Sequence, residues 1–356
     1  MLPGERRPLV NAQERTSSPG TAGTRPTPRT AAGPILALDL GASRIRTAVV
    51  TADGRILERS EGRTPGARGG QAIIDACRDH LTLIRDRLAP ETRASLVGIG
   101  ISAPGPLNPR TGTLVDPPNV GAGARDLPLA APIGDALGLP VVMERDTNVA
   151  ALGELTYGVA RGVRDFLYLT VSTGIGGAIV ANGSLYGGAD GFAGEIGHLP
   201  VGIDWPPCGC GGVGHLEATS SGSGIVRQAL IAVDEDRSPG LSALVDRVGR
   251  AALEARHVAD AADAGEIDAA AIMDLARRAF AAALVGLVNT FNPELIVIGG
   301  SLAAAQGERL LGPARREVER VAFRVPRATV RIVTAALGGD VGLLGGQPLF
   351  ALRAAI

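Results

Sequence analysis

Ile35-Leu36-Ala37-Leu38-Asp39-Leu40-Gly41-Ala42-Ser43, running on through Ile45 to Thr51, is the stretch whose reading decides the fold. A short apolar run ends in an acidic residue and a glycine turn. A second strand, Ile45 to Thr51, follows, then the turn Asp53-Gly54 and a third strand from Ile56, so the pattern predicts a strand, glycine turn, strand and hairpin. The same grammar returns at Phe166 to Ser172, Thr173-Gly174-Ile175-Gly176-Gly177, Ala178 to Ala181, the turn Asn182-Gly183 and Leu185, a weak internal duplication. Each copy leads into alternating helices and strands: an amphipathic helix over Ala72 to Leu88, a buried strand over Val97 to Ser102, a helix over Ala269 to Asn292 and a buried strand over Leu295 to Gly300. Such alternation argues for an α/β architecture with two mixed sheets facing one another across a cleft. Glycine turns at Gly41, at Gly174 to Gly177 and at Gly299-Gly300 would then line that cleft, where backbone amides approach phosphate oxygens with no Cβ in the way. Tight hairpins are the plainer reading of any one of them.

A second informative stretch runs from Glu195-Ile196-Gly197-His198 to Cys208-Gly209-Cys210-Gly211-Gly212-Val213-Gly214-His215-Leu216-Glu217. Two thiolates and two imidazoles complete a closed tetrahedral shell for Zn²⁺, and the glycines between them let the backbone wrap the ion, the pattern of a structural rather than a hydrolytic site. A Cys208–Cys210 disulfide fits poorly with one intervening residue. Cys77, in a predicted helix among Ile73, Ile74 and Leu81, reads as a small buried apolar residue. Sparse cysteine suits a reducing cytoplasm.

At 356 residues and a formal charge of −1, the chain is long enough for two cored domains and carries no field that favours nucleic acid or an acidic membrane. It contains no lysine, which excludes a Walker A phosphate loop and Schiff-base chemistry. Nucleotide binding must therefore use backbone amides. Residues 1–33, rich in Pro, Thr, Ser and Gly, are expected to be disordered. They contain neither the apolar core of a secretory signal nor two amphipathic helices for DNA, and no later segment reads as a membrane span.

With these residues in hand, the chain from about Pro34 onward resembles the ROK family (repressors, open reading frames and sugar kinases) of the actin-like ATPase and hexokinase superfamily. The most specific part is Gly194 to Glu217, which is similar to the family's zinc signature with His215 in place of a third cysteine. Asp39 to Ser43 looks like the first phosphate motif and Ser172 to Gly177 like the second. Ala103-Pro104-Gly105 and Pro118-Asn119 look like sugar-side loops, Arg145-Asp146-Thr147-Asn148 like the catalytic segment, and Asn292-Pro293-Glu294 with Gly299-Gly300 like the adenosine side. The family commonly has Asn where Arg145 stands, and an aromatic residue after the Asn119 loop where Gly121 to Ala124 stand.

The resemblance implies a duplicated actin-like (ribonuclease H-like) fold of two domains with a central cleft, with boundaries at 34–147 and 148–340 and the C-terminal helix 341–356 completing the first. It implies an ATP- and Mg²⁺-dependent hexose kinase, a glucokinase, acting in the cytoplasm as a homodimer, with N-acetylglucosamine, N-acetylmannosamine and fructose as other substrates. It assigns Asp146, which follows a predicted strand over Val141 to Glu144 and precedes a helix predicted to begin near Asn148, as the base at the sugar 6-hydroxyl; local sequence alone favours a helix cap. Asp39 would orient hydrated Mg²⁺, against the plainer reading of a turn residue. Gly105, Asn119, Asp146, Glu195, His198 and Glu217 would bind sugar. A surface carboxylate at a helix start is as good a reading of Glu217 on sequence alone. Gly41, Ser43, Thr173, Gly174, Gly176, Gly299 and Gly300 would bind the nucleotide, and His198, Cys208, Cys210 and His215 would hold structural zinc. A sugar-responsive transcriptional regulator and an inactive sugar sensor are the alternatives.

Overall fold

The repeated strand, glycine turn, strand pattern folds into two sheets of identical order. The computed structural model describes residues 30–117 and 120–353. Within them run β1 (Ile35–Leu40), β2 (Arg44–Val50), β3 (Ile56–Arg63), β4 (Gly98–Ala103), β5 (Leu107–Asn108), β6 (Thr113–Leu114), β7 (Leu127–Pro128), β8 (Val141–Arg145), β9 (Phe166–Val171), β10 (Ile175–Ala181), β11 (Ser184–Leu185), β12 (Leu295–Gly299) and β13 (Arg331–Thr334). One sheet is ordered β3-β2-β1-β4-β8 and the other β11-β10-β9-β12-β13, each with an antiparallel meander on one side and parallel strands on the other. The small antiparallel sheet β5-β6-β7 has no counterpart in the sequence reading. Its two-residue strands are too short to show a period.

Alternation along β1 explains why both of its faces are buried. Leu36, Leu38 and Leu40 join the core formed with Ile73, Cys77, Leu81 and Ile84 of the helix Gly70–Asp86, while Ile35 and Ala37 join Leu343 and Phe350 on the opposite face. The second sheet repeats the division. Leu167, Leu169 and Val171 pack on Phe280, Leu284 and Leu287 of the helix Ile267–Phe291, and Phe166 and Tyr168 pack on Ala150, Ala151 and Leu155 of the helix Asp146–Thr156. Cys77 is buried in the first core, which pushes its thiol up to about 12 and fits its reading as an apolar filler.

The chain end returns to the first sheet. Helices Val341–Leu344 and Gly346–Arg353 lie against β1 and β4, and the approach depends on missing side chains: a Cβ at Gly98 would lie 2.0 Å from Phe350 Cε2 and one at Gly100 would lie 2.6 Å from the Gly346 carbonyl oxygen. Of the expected N-terminal tail, residues 1–29 lie outside the described residues. Ala31 is buried, and its N–H donates to Gln347 Oε1 at 2.8 Å. Among the described residues no helix is long and apolar enough to cross a membrane.

Candidate active site

Both sheets present the C-terminal ends of their parallel strands to one region, the usual place for ligands in such folds. Asp39, near the end of β1, is buried there. Ser102 Oγ of β4 donates to its Oδ1 at 3.0 Å, and the Arg46 guanidinium of β2 pairs with its Oδ2. Arg46 is Asp39's cross-strand partner. Each carboxylate oxygen keeps a second acceptor position, so this group fits orientation of the water shell of Mg²⁺.

β8 ends at Arg145, and the helix Asp146–Thr156 begins without a break. It starts two residues earlier than the sequence suggests, with Arg145 at the N-cap and Asp146 as the first helical residue. Asp146 is therefore not the cap; its Oδ1 accepts only the neighbouring Thr147 N–H, at 2.7 Å. The carboxylate is open to solvent through the cleft mouth yet walled by protein, and its pKa is pushed up to about 6, first by desolvation and then by the negative charge of Asp39. The Thr147 N–H and Arg145 act in the lowering direction, and Glu195 adds a smaller raising effect. A carboxyl titrating near 6 in a cleft is suited to proton abstraction near neutral pH.

The second glycine turn packs directly on this segment. A Cβ at Gly176 would lie 2.7 Å from Thr147 Cγ2, and one at Gly174 would lie 2.6 Å from Glu217 Oε2. Ile175 N–H donates to that same Glu217 oxygen at 2.9 Å. Glu217 stands in the first turn of the helix Leu216–Ser220, whose N-cap is His215. Backbone contact brings the opposite wall close: a Cβ at Gly197 would lie 2.0 Å from the Ile175 carbonyl oxygen, and one at Gly177 would lie 2.5 Å from Ile196 Cδ1. Thus Glu195 and His198, on the short turn Ile196–His198 and its N-cap, flank the Gly174–Gly177 turn and share its end of β10 with Asp146 and Glu217.

His198, Cys208, Cys210 and His215 converge. Their four ligand atoms all lie within 4.8 Å of one another, with Cys208 Sγ 3.9 Å from His198 Nδ1 and Cys210 Sγ 3.2 Å from His215 Nδ1. Two sulfurs and two imidazole nitrogens at this spacing fit tetrahedral Zn²⁺ with small adjustments. All three cysteines are free.

The remaining expected residues divide. Ser172 Oγ and Ser301 Oγ lie 2.7 Å apart, which ties the second turn to the Gly299-Gly300 segment, and Ser223 N–H donates to the Thr173 carbonyl at 2.9 Å. Gly300 has φ +97°, and a Cβ there would lie 2.3 Å from the Val171 carbonyl oxygen, so only glycine fits. Gly41 already donates its N–H to the Arg44 carbonyl at 2.8 Å; it serves the turn as a bend, not as a spare donor. Ser43 borders an open cavity of 810 Å³ with Arg44, Glu61, Gly62, Arg63 and Thr64. Gly105 borders the stem of Arg145, 3.2 Å from Cδ to a Cβ built there. Asn119 lies outside the described residues.

Sequence reasoning missed several supports. Arg46 and Ser102 hold Asp39. Glu154, fully buried two turns along from Asp146, accepts the N–H groups of Val159 (2.9 Å), Ala336 (2.9 Å) and Leu337 (3.0 Å), tying the helix Asp146–Thr156 to the strap that returns to the first sheet. An acid set among Val149, Ala150, Ala151, Leu152 and Leu155 was the available signal. Buried Glu144 accepts from Asn148 Nδ2 at 3.1 Å and pairs with Arg353 at 2.5 Å.

The ROK family pattern matches residues 35–352. A glucokinase of Halalkalibacterium halodurans is 38% identical over 316 residues, 87% of this chain and 92% of that protein. Among solved structures, a ROK hexokinase from Thermus thermophilus superposes with a TM-score of 0.73 at 31% identity, covering 90% of this chain and 99% of that one. A ROK family glucokinase from Streptomyces griseus, in complex with glucose and AMPPNP, superposes with a TM-score of 0.72 at 30% identity, covering 89% and 99%. With two sheets of the same order meeting at an aspartate, two glycine turns and a Cys/His cluster, and with a match that spans nearly all of the described residues, this chain belongs to the ROK family and has its actin-like fold.

Proposed function

We propose that the chain is an ATP- and Mg²⁺-dependent hexose kinase that phosphorylates glucose at the 6-hydroxyl, with Asp146 as the base. The observation that carries the reading is Asp146 itself: a carboxylate in the first turn of a helix, pushed up to about 6, beside the Gly174–Gly177 turn and the Glu195 and Glu217 wall. The glucokinase relatives and the glucose and AMPPNP complex of the Streptomyces griseus protein support the substrate class.

In this reading glucose lies with its 6-hydroxyl against Asp146, while Glu195, His198, Glu217 and Asn119 divide the other hydroxyls between donor and acceptor contacts. Asp146 takes the hydroxyl proton as the oxygen attacks the γ-phosphorus of ATP in line with the leaving oxygen. The turns at Gly41 to Ser43, Thr173 to Gly176 and Gly299-Gly300 bring backbone close to the phosphates and the nucleoside. Asp39, fixed by Ser102 and Arg46, would orient the water shell of Mg²⁺, which would supply charge neutralisation at the transferring phosphates. His198, Cys208, Cys210 and His215 would hold zinc. His198 Nδ1 faces the cluster, which leaves Nε2 for a sugar hydroxyl and couples the metal to the substrate wall.

The test is turnover with glucose, N-acetylglucosamine, N-acetylmannosamine and fructose, each with ATP and with polyphosphate. Formation of glucose 6-phosphate with ATP is the expected result. Sugar binding with no phosphorylated product from any pair would replace the kinase with a sensor.

A further inference from the structure

Arg145 occupies the position before the proposed base, and the structure shows where so large a side chain goes. It crosses from the end of β8 to the segment that leads into the turn Ile196–His198, where Nη1 donates to Glu195 Oε1 at 2.5 Å and Nη2 donates to the Ala193 carbonyl oxygen at 2.5 Å. The Arg145 side chain is 5% exposed, whereas that of Glu195 is 49% exposed. The asymmetry decides the direction of dependence. A buried cation requires a counter-charge, and the two planar N–H contacts fix both the carboxylate and the backbone two residues before it. Glu195 alone, on a loop, would explore several rotamers. Gly105 leaves the room for the arginine stem.

We infer that Arg145 is a positioning residue for sugar recognition: it clamps Glu195 and the Ala193 carbonyl to the base-bearing segment, holding Glu195 Oε1 and presenting Oε2 to the substrate. The inference rests on the sugar-wall reading of Glu195. It has a second consequence, because Arg145 acts on Asp146 in the lowering direction whereas Glu195, like Asp39 from β1, acts in the raising direction. Replacing Arg145 by a neutral residue raises the Asp146 pKa; replacing Glu195 by a neutral residue lowers it.

The test compares wild type, Arg145→Met, Arg145→Lys, Glu195→Gln and the Arg145→Met/Glu195→Gln double variant, each first checked by thermal melt. Arg145→Met should raise the glucose KM about tenfold while the ATP KM moves less than about twofold, the signature of lost sugar positioning. Arg145→Lys keeps the charge but cannot span both acceptors, so it should recover only part of that loss, and it carries the test should the methionine variant fail to fold. The two losses should be non-additive in the double variant. The acid limb of kcat/KM should move up in pH for Arg145→Met and down for Glu195→Gln, which a purely structural arginine would not produce. Additive losses, or an acid limb that stays put in both single variants, would overturn the inference while leaving the kinase reading intact. Should the wild type bind glucose without phosphorylating it, the kinase reading falls and calorimetric glucose affinity still decides the clamp, with about tenfold weakening in Arg145→Met expected. A wild type that neither binds nor phosphorylates glucose would overturn both.

Discussion

Asp146→Asn separates chemistry from stability, because the account requires the two to change in opposite directions. A general base contributes about 10²- to 10⁴-fold, so turnover should fall by that amount while glucose affinity stays within a few-fold. With a folded pKa pushed up to about 6 from 3.8, the wild-type carboxylate is about nine-tenths ionised at pH 7 and about one-tenth ionised at pH 5, so kcat/KM should fall roughly tenfold across that span. The folded value exceeds the unfolded one. Asp146 therefore favours the folded state fully below about pH 4 and loses that advantage as pH rises through about 6, so that above 6 it is a net cost. Water entering through the cleft mouth screens the charge, so this cost is about 1 kcal/mol. Asp146→Asn removes that cost and should raise the melting temperature at pH 8 by roughly 2 °C. Steady-state kinetics and calorimetric melts at pH 5 and 8 read both effects. A variant that keeps wild-type turnover would refute the base assignment, and one that melts lower at pH 8 would refute the strained charge.

Other consequences follow from single contacts. Glu154→Ala strands the N–H groups of Val159, Ala336 and Leu337 and should cost about 3–5 kcal/mol in urea unfolding; a loss under about 1 kcal/mol would show that water replaces the carboxylate. Gly300→Ala forces a methyl group at φ +97° onto the Val171 carbonyl and should destabilise by about 2–4 kcal/mol with a raised ATP KM; wild-type stability and ATP KM would contradict the proposed close approach. Removing metal with a chelator, or substituting Cys208→Ser, should raise the glucose KM more than the ATP KM, because His198 belongs to both cluster and wall. Metal-free protein with unchanged glucose affinity would break that coupling.

Much of the fold was legible because its signals are local. The duplicated strand and turn pattern predicts both meanders, while the Asp39–Arg46 pairing came only with the register across the Gly41 turn, in which β1 and β2 pair Leu40 with Ile45 and Asp39 with Arg46. The Cys/His cluster was legible for the same reason: its four side chains lie within 18 residues, from His198 to His215. What sequence could not supply were contacts closed by the fold. Arg145 meets Glu195 fifty residues away, Glu154 meets Ala336 and Leu337 across more than 180, and Phe350 reaches Gly98 only because the chain end returns to the first sheet. The start of the helix at Asp146 was misplaced by two residues because no capping side chain marks it: Arg145, at the N-cap, makes no cap bond.

The most direct measurement is a structure of the chain with glucose and a non-hydrolysable ATP analogue. The account predicts the sugar 6-hydroxyl within about 3 Å of Asp146 and pointing at the γ-phosphate, with Glu195, His198 and Glu217 on the remaining hydroxyls. A sugar bound with its 6-hydroxyl away from Asp146, or a nucleotide whose γ-phosphate lies far from that carboxylate, would contradict it.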